Sequence, residues 1–214
     1  MPIQIEPQLR SVVMDVSWDY YSRTLEELGP SRGFRITFDQ GRMEIVTTSN
    51  MHERIKKVIA RLLEMYAAEA DIRIVADGTL TLRREALKRG LEPDECYYVQ
   101  TPAPPASEGE FDLSIHPPPD LAIEVDISRG SISKMPIYSA LKVREVWRYK
   151  VGRLVPMHLN NSGDYVVAKG SLAFPTLDMG QFNKFVKLAV EEDVHEAIKA
   201  LRKWVRSGVK GRGK

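Results

Sequence analysis

Acidic and aliphatic side chains alternate in the segment PPPDLAIEVDIS. Because successive side chains of a β-strand point to opposite faces, Asp120, Glu124 and Asp126 are expected to share one face, opposite an aliphatic one. Residues two apart on one face lie about 6.5 to 7 Å from each other, and carboxylates at that distance raise each other's pKa unless a cation neutralises them. The pattern therefore indicates a divalent-metal site or, as the alternative, the solvated acidic face of an edge strand.

A second acidic unit, the tripeptide EPD that ends at Asp94, comes just before the aromatic-rich segment ECYYV. An aspartate at the start of one strand and an acid inside the next can form a metal site that is shared by neighbouring strands. Mg²⁺ takes oxygen ligands of this kind, usually one or two carboxylates together with water and substrate phosphate. We therefore predict that Asp94 and Glu124 bind Mg²⁺ or Mn²⁺, with Asp120 or Asp126 as a further ligand.

The period of the apolar residues becomes helical after Ser49, which predicts a helix at 51–69 with Asn50 as its N-cap. On a helical wheel of about 100° per residue, His52 lies roughly 50° from the centre of the apolar stripe, whereas Glu53 lies almost opposite. We expect His52 to face inward, either as a hydrogen-bonded core residue or as a participant in catalysis. Glu53 is expected to be a capping partner at the third helical position.

The other elements indicate an α+β fold with a mixed central sheet. A hairpin is expected at 34–46, because Gly41 supplies the positive φ of a tight turn, and the proline-rich stretch at 101–119 is expected to be irregular. The remaining expected elements are a strand or hairpin at 72–82, strands at 95–99, 121–127 and 145–149, a hairpin over 153–159 and 164–168, a helix beginning near Ser133 and Pro136, and a closing amphipathic helix with Val190, Val194, Ile198, Leu201 and Val205.

Composition excludes several classes of protein. The chain has 214 residues, 43% of them hydrophobic, with 31 Lys and Arg against 29 Asp and Glu, which is typical of a soluble folded protein. A single cysteine, Cys96, rules out an internal disulfide or a cysteine-based zinc site and favours the reducing cytoplasm. The sequence offers neither a membrane span nor a signal peptide, and it lacks the motifs of nucleotide hydrolases, serine hydrolases and zincins.

The net charge of +2 is unevenly distributed along the chain. From Ala197 onward there are seven basic residues and no acidic one, which leaves about −5 for residues 1–196. We predict one domain over 1–190, followed at 191–214 by an amphipathic helix and a basic tail. The tail is either a solvated helix face with a disordered end or an arm that contacts nucleic-acid phosphates. The candidate phosphate-binding residues are Lys203, Arg206, Lys210 and Arg212.

Several of these segments together resemble the Uma-type restriction-endonuclease family, long grouped as a domain of unknown function, within the PD-(D/E)XK restriction-endonuclease-like superfamily. The resemblance covers roughly residues 18–185. It is carried by GRMEIV, His52, EPDECYYV, PPDLAIEVDIS, Lys134 with Tyr138, Val143-Arg144-Glu145 and Trp147. It implies an αββαβ nuclease core with a mixed central sheet flanked by helices and an extra N-terminal hairpin. It also implies that Asp94 is the Pro-Asp aspartate and that Glu124 is the acid of the E-x-K element.

One position departs from the superfamily pattern, because Asp126 stands where the E-x-K element would carry its lysine. The Uma-type family resembles nucleases in which this lysine has moved to the following helix, and Lys134 is the matching residue here. Its implied role is to orient the attacking water and to stabilise charge that develops on the phosphate. The alternative is a solvated surface lysine.

These observations predict a metal-dependent endonuclease that hydrolyses the phosphodiester bonds of DNA, with Asp94, Glu124, Lys134 and His52 as catalytic residues. A homodimer would suit cleavage of both strands. One alternative is a non-catalytic nucleic-acid-binding or assembly module that kept the fold, which Asp126 favours. Another is a phosphodiesterase for a small or modified substrate, which the shortage of basic residues outside the tail favours.

Overall fold

Helices pack on both faces of a large mixed sheet, and a smaller antiparallel sheet lies beside it. The computed structural model describes residues 9–29, 33–78, 80–105, 111–127 and 132–211, with side chains described as far as 208. The helices are α1 (Trp18–Leu28), α2 (Asn50–Glu69), α3 (Met135–Ala140), α4 (Met179–Glu191) and α5 (Val194–Gly211). The strands are β1 (Arg10–Val13), β2 (Phe34–Asp39), β3 (Arg42–Thr47), β4 (Val75–Ala76), β5 (Leu82–Arg84), β6 (Arg89–Leu91), β7 (Glu95–Tyr98), β8 (Leu121–Val125), β9 (Glu145–Lys150), β10 (Arg153–Leu159) and β11 (Tyr165–Val167).

The smaller sheet is antiparallel, with strand order β1-β3-β2-β6-β5. It contains the predicted hairpin, in which β2 pairs with β3 across the turn at Gly41, whose φ is +94°. Alternate residues of β2 point to opposite faces, so Ile36 and Phe38 pack against Tyr21 of α1. The other face of this sheet is left uncovered by α1.

The larger sheet is mixed and has the strand order β11-β10-β9-β8-β7-β4. Its one parallel pair, β8 with β9, is joined through α3, as a parallel connection requires a crossover. The elements α2, β7, β8, α3 and β9 follow one another in the predicted αββαβ order, with β4 to β6 inserted after α2. The α+β fold class with its mixed sheet and extra N-terminal hairpin is therefore confirmed.

Strand β8 lies at the centre of this sheet and is buried on both faces. Leu121, Ile123 and Val125 pack against α2, α4 and α5, whereas Ala122 packs against α3 through Ile137. The alternation predicted for this segment is thus confirmed for the apolar residues. The alternative of an edge strand with a wet acidic face is wrong, because β7 and β9 pair with β8 on either side.

Three local predictions are corrected by the structure. The N-cap of α2 is Ser49, whose hydroxyl accepts a hydrogen bond from the His52 N–H at 3.2 Å, and Asn50 is already helical. Glu53 therefore falls at the fourth helical position and binds Lys56 at 2.8 Å instead of capping the helix. The segment 72–82 is not one unit, because β4 joins the larger sheet and β5 the smaller one.

The closing helix is also different from the prediction. Val190 belongs to α4, and α5 begins afresh after Asp193, whose carboxylate accepts a hydrogen bond from the Glu196 N–H at 3.0 Å. Side-chain capping by aspartate starts a new helix at this point, and apolar periodicity does not reveal such a break. Within the described ranges, every helix is too short or too polar to span a lipid bilayer.

We expect Gly90→Ala to destabilise the smaller sheet. A Cβ at this position of β6 would lie 2.3 Å from the Tyr21 hydroxyl oxygen and 3.0 Å from its ring. Tyr21 cannot move aside easily, because it is fully buried and stacks on Phe38 with ring centroids 4.8 Å apart. Overpacking of this kind costs about 1–3 kcal/mol. Urea unfolding measures the loss.

Gly170→Ala is the matched control, because a Cβ there meets no atom within 4 Å. Equal free energies of unfolding for the two variants would contradict the close packing of Tyr21 on β6.

Candidate active site

A cleft of about 930 Å³ lies between the two sheets. One wall is the uncovered face of the smaller sheet, which contributes Arg10 from β1 and Arg35 and Thr37 from β2. The other wall is formed by the carboxyl-terminal ends of β8 and β9 together with the start of α3. Ligand sites in sheets with parallel strands commonly lie at such ends.

Asp94 lies at the floor of this cleft, immediately before β7, and is only 2% exposed. Its Oδ2 accepts hydrogen bonds from the Val125 N–H at 2.7 Å and from the His52 ring at 3.1 Å. Burial would raise the pKa of Asp94, but the hydrogen bond and charge of His52 and the charge of Lys134 outweigh it and lower the pKa to about 2. Asp94 is therefore an ionised carboxylate held against β8.

Glu124 lies in β8 and is 3% exposed. Its Oε2 accepts a hydrogen bond from Lys134 Nζ at 2.6 Å, and its Oε1 accepts one from the Tyr138 hydroxyl. Burial raises the pKa of Glu124 to about 7, and the nearby charge of Asp94 adds to this shift, although Lys134 opposes it. The two carboxylates predicted from the sequence are thus brought together on neighbouring strands.

Lys134 reaches Glu124 from the N-cap position of α3. The crossover from β8 through α3 to β9 places the start of this helix beside the end of β8, and Pro136 in the first turn is compatible with a helix start. Burial would lower the pKa of Lys134, but the charges of Glu124 and Asp94 raise it to about 12. Lys134 is therefore a permanent cation in the cleft.

His52 enters the site from the first turn of α2 and is buried, as its place near the apolar stripe predicted. Burial would lower the pKa of His52, but its hydrogen bond to Asp94 and the charge of Asp94 raise it. Its other nitrogen, Nδ1, lies 3.5 Å from Glu53 Oε1. The imidazole therefore lies between two carboxylates and holds Asp94 in place.

The two further acids predicted as metal ligands have other partners. Asp126 lines the cleft, but its Oδ2 binds the guanidinium of Arg148, with Nε at 2.7 Å. Asp120 does not belong to this site, because its carboxylate accepts four hydrogen bonds from residues 99–101, at 2.7 to 2.8 Å. Four residues along a strand span about 13 Å, so Asp120 cannot share an ion with Glu124.

The basic tail residues that the structure describes do not line the cleft. Arg206 binds Glu69 at the end of α2, with Nε 2.7 Å from Oε2, and Arg202 binds the same carboxylate at 2.6 Å. Lys203 lines a separate groove on α5. The side chain of Lys210 and the whole of Arg212 lie outside the described residues, so a role of the tail in phosphate binding stays a prediction.

Sequence reasoning missed Tyr138 as a site residue, as well as the basic side chains of the smaller sheet. Tyr138 could have been found, because residues four apart on a helix share a face and it follows Lys134 at that spacing. Arg35 carried no such signal, since a polar residue that alternates with apolar ones in a hairpin is usually solvated. Only the packing of the two sheets places Arg35 in the lining of the cleft that also contains Asp94 and Glu124.

We expect Lys134→Met to destabilise the protein in a pH-dependent way. A carboxyl whose pKa is about 7 when folded, against a usual 4.5, binds more protons in the folded state, so stability falls as pH rises through that window. Removing the cation raises the pKa of Glu124 further and extends the fall above pH 7. The expected loss is about 3–5 kcal/mol at pH 9 and less at pH 5. Urea unfolding at both pH values measures it.

The double variant Lys134→Met with Glu124→Gln is the control, because it removes the buried charge and should recover most of the loss at pH 9. A loss of equal size at both pH values would show that packing, and not charge, is what Lys134 contributes.

Comparisons with known proteins bear on this site. A solved structure that resembles the chain is described as "a putative nuclease belonging to DUF820 from Anabaena variabilis". The two chains are 12% identical, the match covers 86% of this chain and 99% of that chain, and the TM-score is 0.48. No curated protein matches this chain in sequence.

The family model named Uma2, whose description reads "Putative restriction endonuclease", matches residues 18–181. The matched range contains Asp94, Glu124, Lys134 and His52, and it ends before α5. The resemblance inferred from the sequence is confirmed, and the chain belongs to the Uma2 family.

Proposed function

We propose that the cleft is the active site of a divalent-metal-dependent nuclease that hydrolyses phosphodiester bonds of DNA. The observation that carries this proposal is the joint burial of Asp94 and Glu124 on neighbouring strands, with Lys134 Nζ 2.6 Å from Glu124. Membership of the Uma2 family supports it at the level of a nuclease. The sequence alternative of a module without activity loses its main support, because Lys134 supplies the cation that Asp126 does not.

The chemistry of the donor set fits a hard divalent cation. Among the described residues, both hydrogen bonds to Asp94 end on Oδ2, so that Oδ1 is available as a ligand, and Glu124 offers a second carboxylate. Among the described residues no group of three or more His, Cys, Asp or Glu is arranged to hold an ion. Two carboxylates with water and substrate phosphate are the usual ligand set of Mg²⁺ at phosphoryl-transfer sites. When bound, the ion neutralises phosphate charge and lowers the pKa of water.

The residues of the chain have distinct roles in this proposal. Lys134, which stays protonated, donates hydrogen bonds to a non-bridging phosphate oxygen and stabilises the charge that develops there. His52 acts as a positioning residue, since its ring hydrogen-bonds Asp94. Tyr138 fixes the orientation of Glu124, because its hydroxyl donates a hydrogen bond to Oε1.

Cations stand beside the acids in the described lining of the cleft, with five of each sign. The cations that line the cleft are Arg10, Arg35, Lys134, Arg148 and Lys150. They come from both walls, so a polyanion between the sheets meets cations on either side. This arrangement provides phosphate contacts without the C-terminal tail.

We expect Glu124→Gln and Asp94→Asn to reduce Mg²⁺-dependent cleavage by at least about 10²- to 10³-fold, the range for removing one electrostatic group from an active site. The assay uses linear and circular duplex DNA, single-stranded DNA and RNA, with Mg²⁺ or Mn²⁺. Glu191→Gln is the matched control, because this carboxylate lines the cleft from α4 but pairs with Lys187. It should retain activity.

Two results would contradict the proposal. The first is the absence of cleavage with every substrate while Asp94→Asn and Glu124→Gln bind nucleic acid as well as or better than the wild type, which is the behaviour of a non-catalytic module. The second is turnover of a small phosphodiester such as bis(4-nitrophenyl) phosphate without any binding of nucleic acid, which would indicate a small-substrate phosphodiesterase.

We expect His52→Ala to weaken Mn²⁺ binding about 10- to 100-fold, the usual effect of losing a residue that orients a ligand. His52→Gln should retain more affinity, because its amide can donate the same hydrogen bond to Asp94. Calorimetry with Mn²⁺ measures the affinity, and circular dichroism checks the fold. Unchanged affinity in His52→Ala would exclude the positioning role.

A further inference from the structure

The hairpin between β9 and β10 turns through only two residues, Val151 and Gly152. Their φ angles are +51° and +75°, so both residues occupy the left-handed region, as a type I′ turn requires. Lys150 and Arg153 pair across the turn and complete the hairpin tip, which we define as residues 150–153. The usual residues at the two central positions are Asn-Gly or Asp-Gly.

A valine at the first central position is unfavourable for the fold. A β-branched side chain with positive φ is a steric outlier, whereas asparagine and glycine adopt this conformation readily. Among the residues that the structure describes, six other than glycine have positive φ, and Val151 is the only β-branched one. The hairpin is therefore built with a residue that strains its backbone.

Contacts within the protein do not compensate this strain. The side chain of Val151 is 92% exposed, so it gains almost nothing from burial. Asparagine at this place would relieve the backbone strain and remove an apolar group from water. Strained residues that packing does not require occur preferentially at functional sites.

The hairpin tip forms part of the rim of the cleft. Lys150, Val151 and Gly152 line the same cavity as Asp94 and Glu124. Strand β9 leads from the floor to the tip, because Arg148 lies opposite Glu124 in the sheet register. Three residues of extended chain separate Arg148 from Val151, a distance of about 10 Å.

The charges beside Val151 suit a polyanion. Lys150 and Arg153 are exposed, and neither side chain forms an ion pair or hydrogen bond with any described residue. An apolar side chain between two unpaired cations matches the surface of a nucleic-acid strand, which presents sugars and bases between phosphates. Apolar side chains that contact or separate bases are a known means of holding such strands.

We propose that the hairpin tip is a nucleic-acid contact that holds the strand entering the cleft. Val151 packs against a sugar or base of that strand, and Lys150 and Arg153 bind the flanking phosphates. This inference rests on the proposed nuclease function and adds the place where the substrate is held. The ligand is a nucleic-acid strand, which is either a single-stranded molecule or one strand of an opened duplex.

The test compares Val151→Asn with wild type for stability, binding and cleavage. The melting temperature should rise by about 2–4 °C because the strain is relieved. The Kd for fluorescent oligonucleotides, measured by anisotropy with Ca²⁺ in place of Mg²⁺, should rise about fivefold or more through loss of the apolar contact. Cleavage at low substrate concentration should fall to a similar extent.

Val167→Asn is the matched control, since Val167 is also exposed and lies in β11 at the far edge of the same sheet, outside the cleft. It should leave binding unchanged. Single-stranded and duplex probes are measured separately, and the probe whose Kd rises identifies the form of strand that the tip holds.

A second pair of variants tests the charges. Lys150→Gln with Arg153→Gln should reduce the magnitude of the slope of log K against log salt by about 1.8 for a duplex probe and about 1.4 for a single-stranded one, because two phosphate contacts are lost. Lys169→Gln, on an exposed loop, should leave the slope unchanged.

The proposal is overturned if Val151→Asn binds both probes as tightly as wild type, if its melting temperature does not rise, or if the salt slope is unaffected by the charge variants. None of these results concerns cleavage by the wild-type protein, so the nuclease proposal survives each of them. A wild-type protein that neither binds nor cleaves nucleic acid overturns both proposals together.

Discussion

Two carboxylates buried next to each other at the ends of neighbouring strands are the constraint on which the structure of this protein depends. An unpaired buried carboxylate costs several kcal/mol, so each oxygen needs a donor or a cation. The donors come from three different elements: His52 from α2, the Val125 N–H from β8, and Lys134 with Tyr138 from α3. The central helix, sheet and crossover are thus joined at one polar centre.

Other buried carboxylates in the protein also have hydrogen-bond donors, but donors of a different kind. Glu145 is fully buried, and its carboxylate accepts hydrogen bonds from the Trp147 ring, the Ser171 hydroxyl and the N–H groups of Leu172 and Ala173. Asp120 holds residues 99–101 in the same way. Neutral donors satisfy these two carboxylates and fix loops. Asp94 and Glu124 instead meet charged partners and border a cavity, which is the physical difference between a structural acid and a candidate ligand.

The basic side chains of the protein also fall into two groups with different roles. At the C-terminus, Arg202 and Arg206 bind Glu69 and so join α5 to the end of α2, where a carboxylate is unfavourable beside the negative end of the helix dipole. Basic side chains of the smaller sheet, in contrast, face the cleft. The near-neutral net charge of +2 therefore conceals cations with two functions, one that stabilises helix packing and one that borders the site.

Where the apolar period was clear, as in α2 and β8, the sequence alone predicted the element and its apolar side, because periods of 2 and 3.6 residues depend only on local backbone geometry. It did not predict β1, α1 or β6, and it merged the end of α4 into the closing helix. The sequence also determined that Glu124 and Lys134 would belong to a strand and the helix after it, and that His52 would face inward. The partners of each carboxylate were decided only by tertiary structure. Asp94 lies 42 residues from His52 and 31 from Val125, and no local pattern encodes such contacts. The packing of two sheets likewise brought Arg35 to the cleft, because neighbours across a cleft are set by the whole fold.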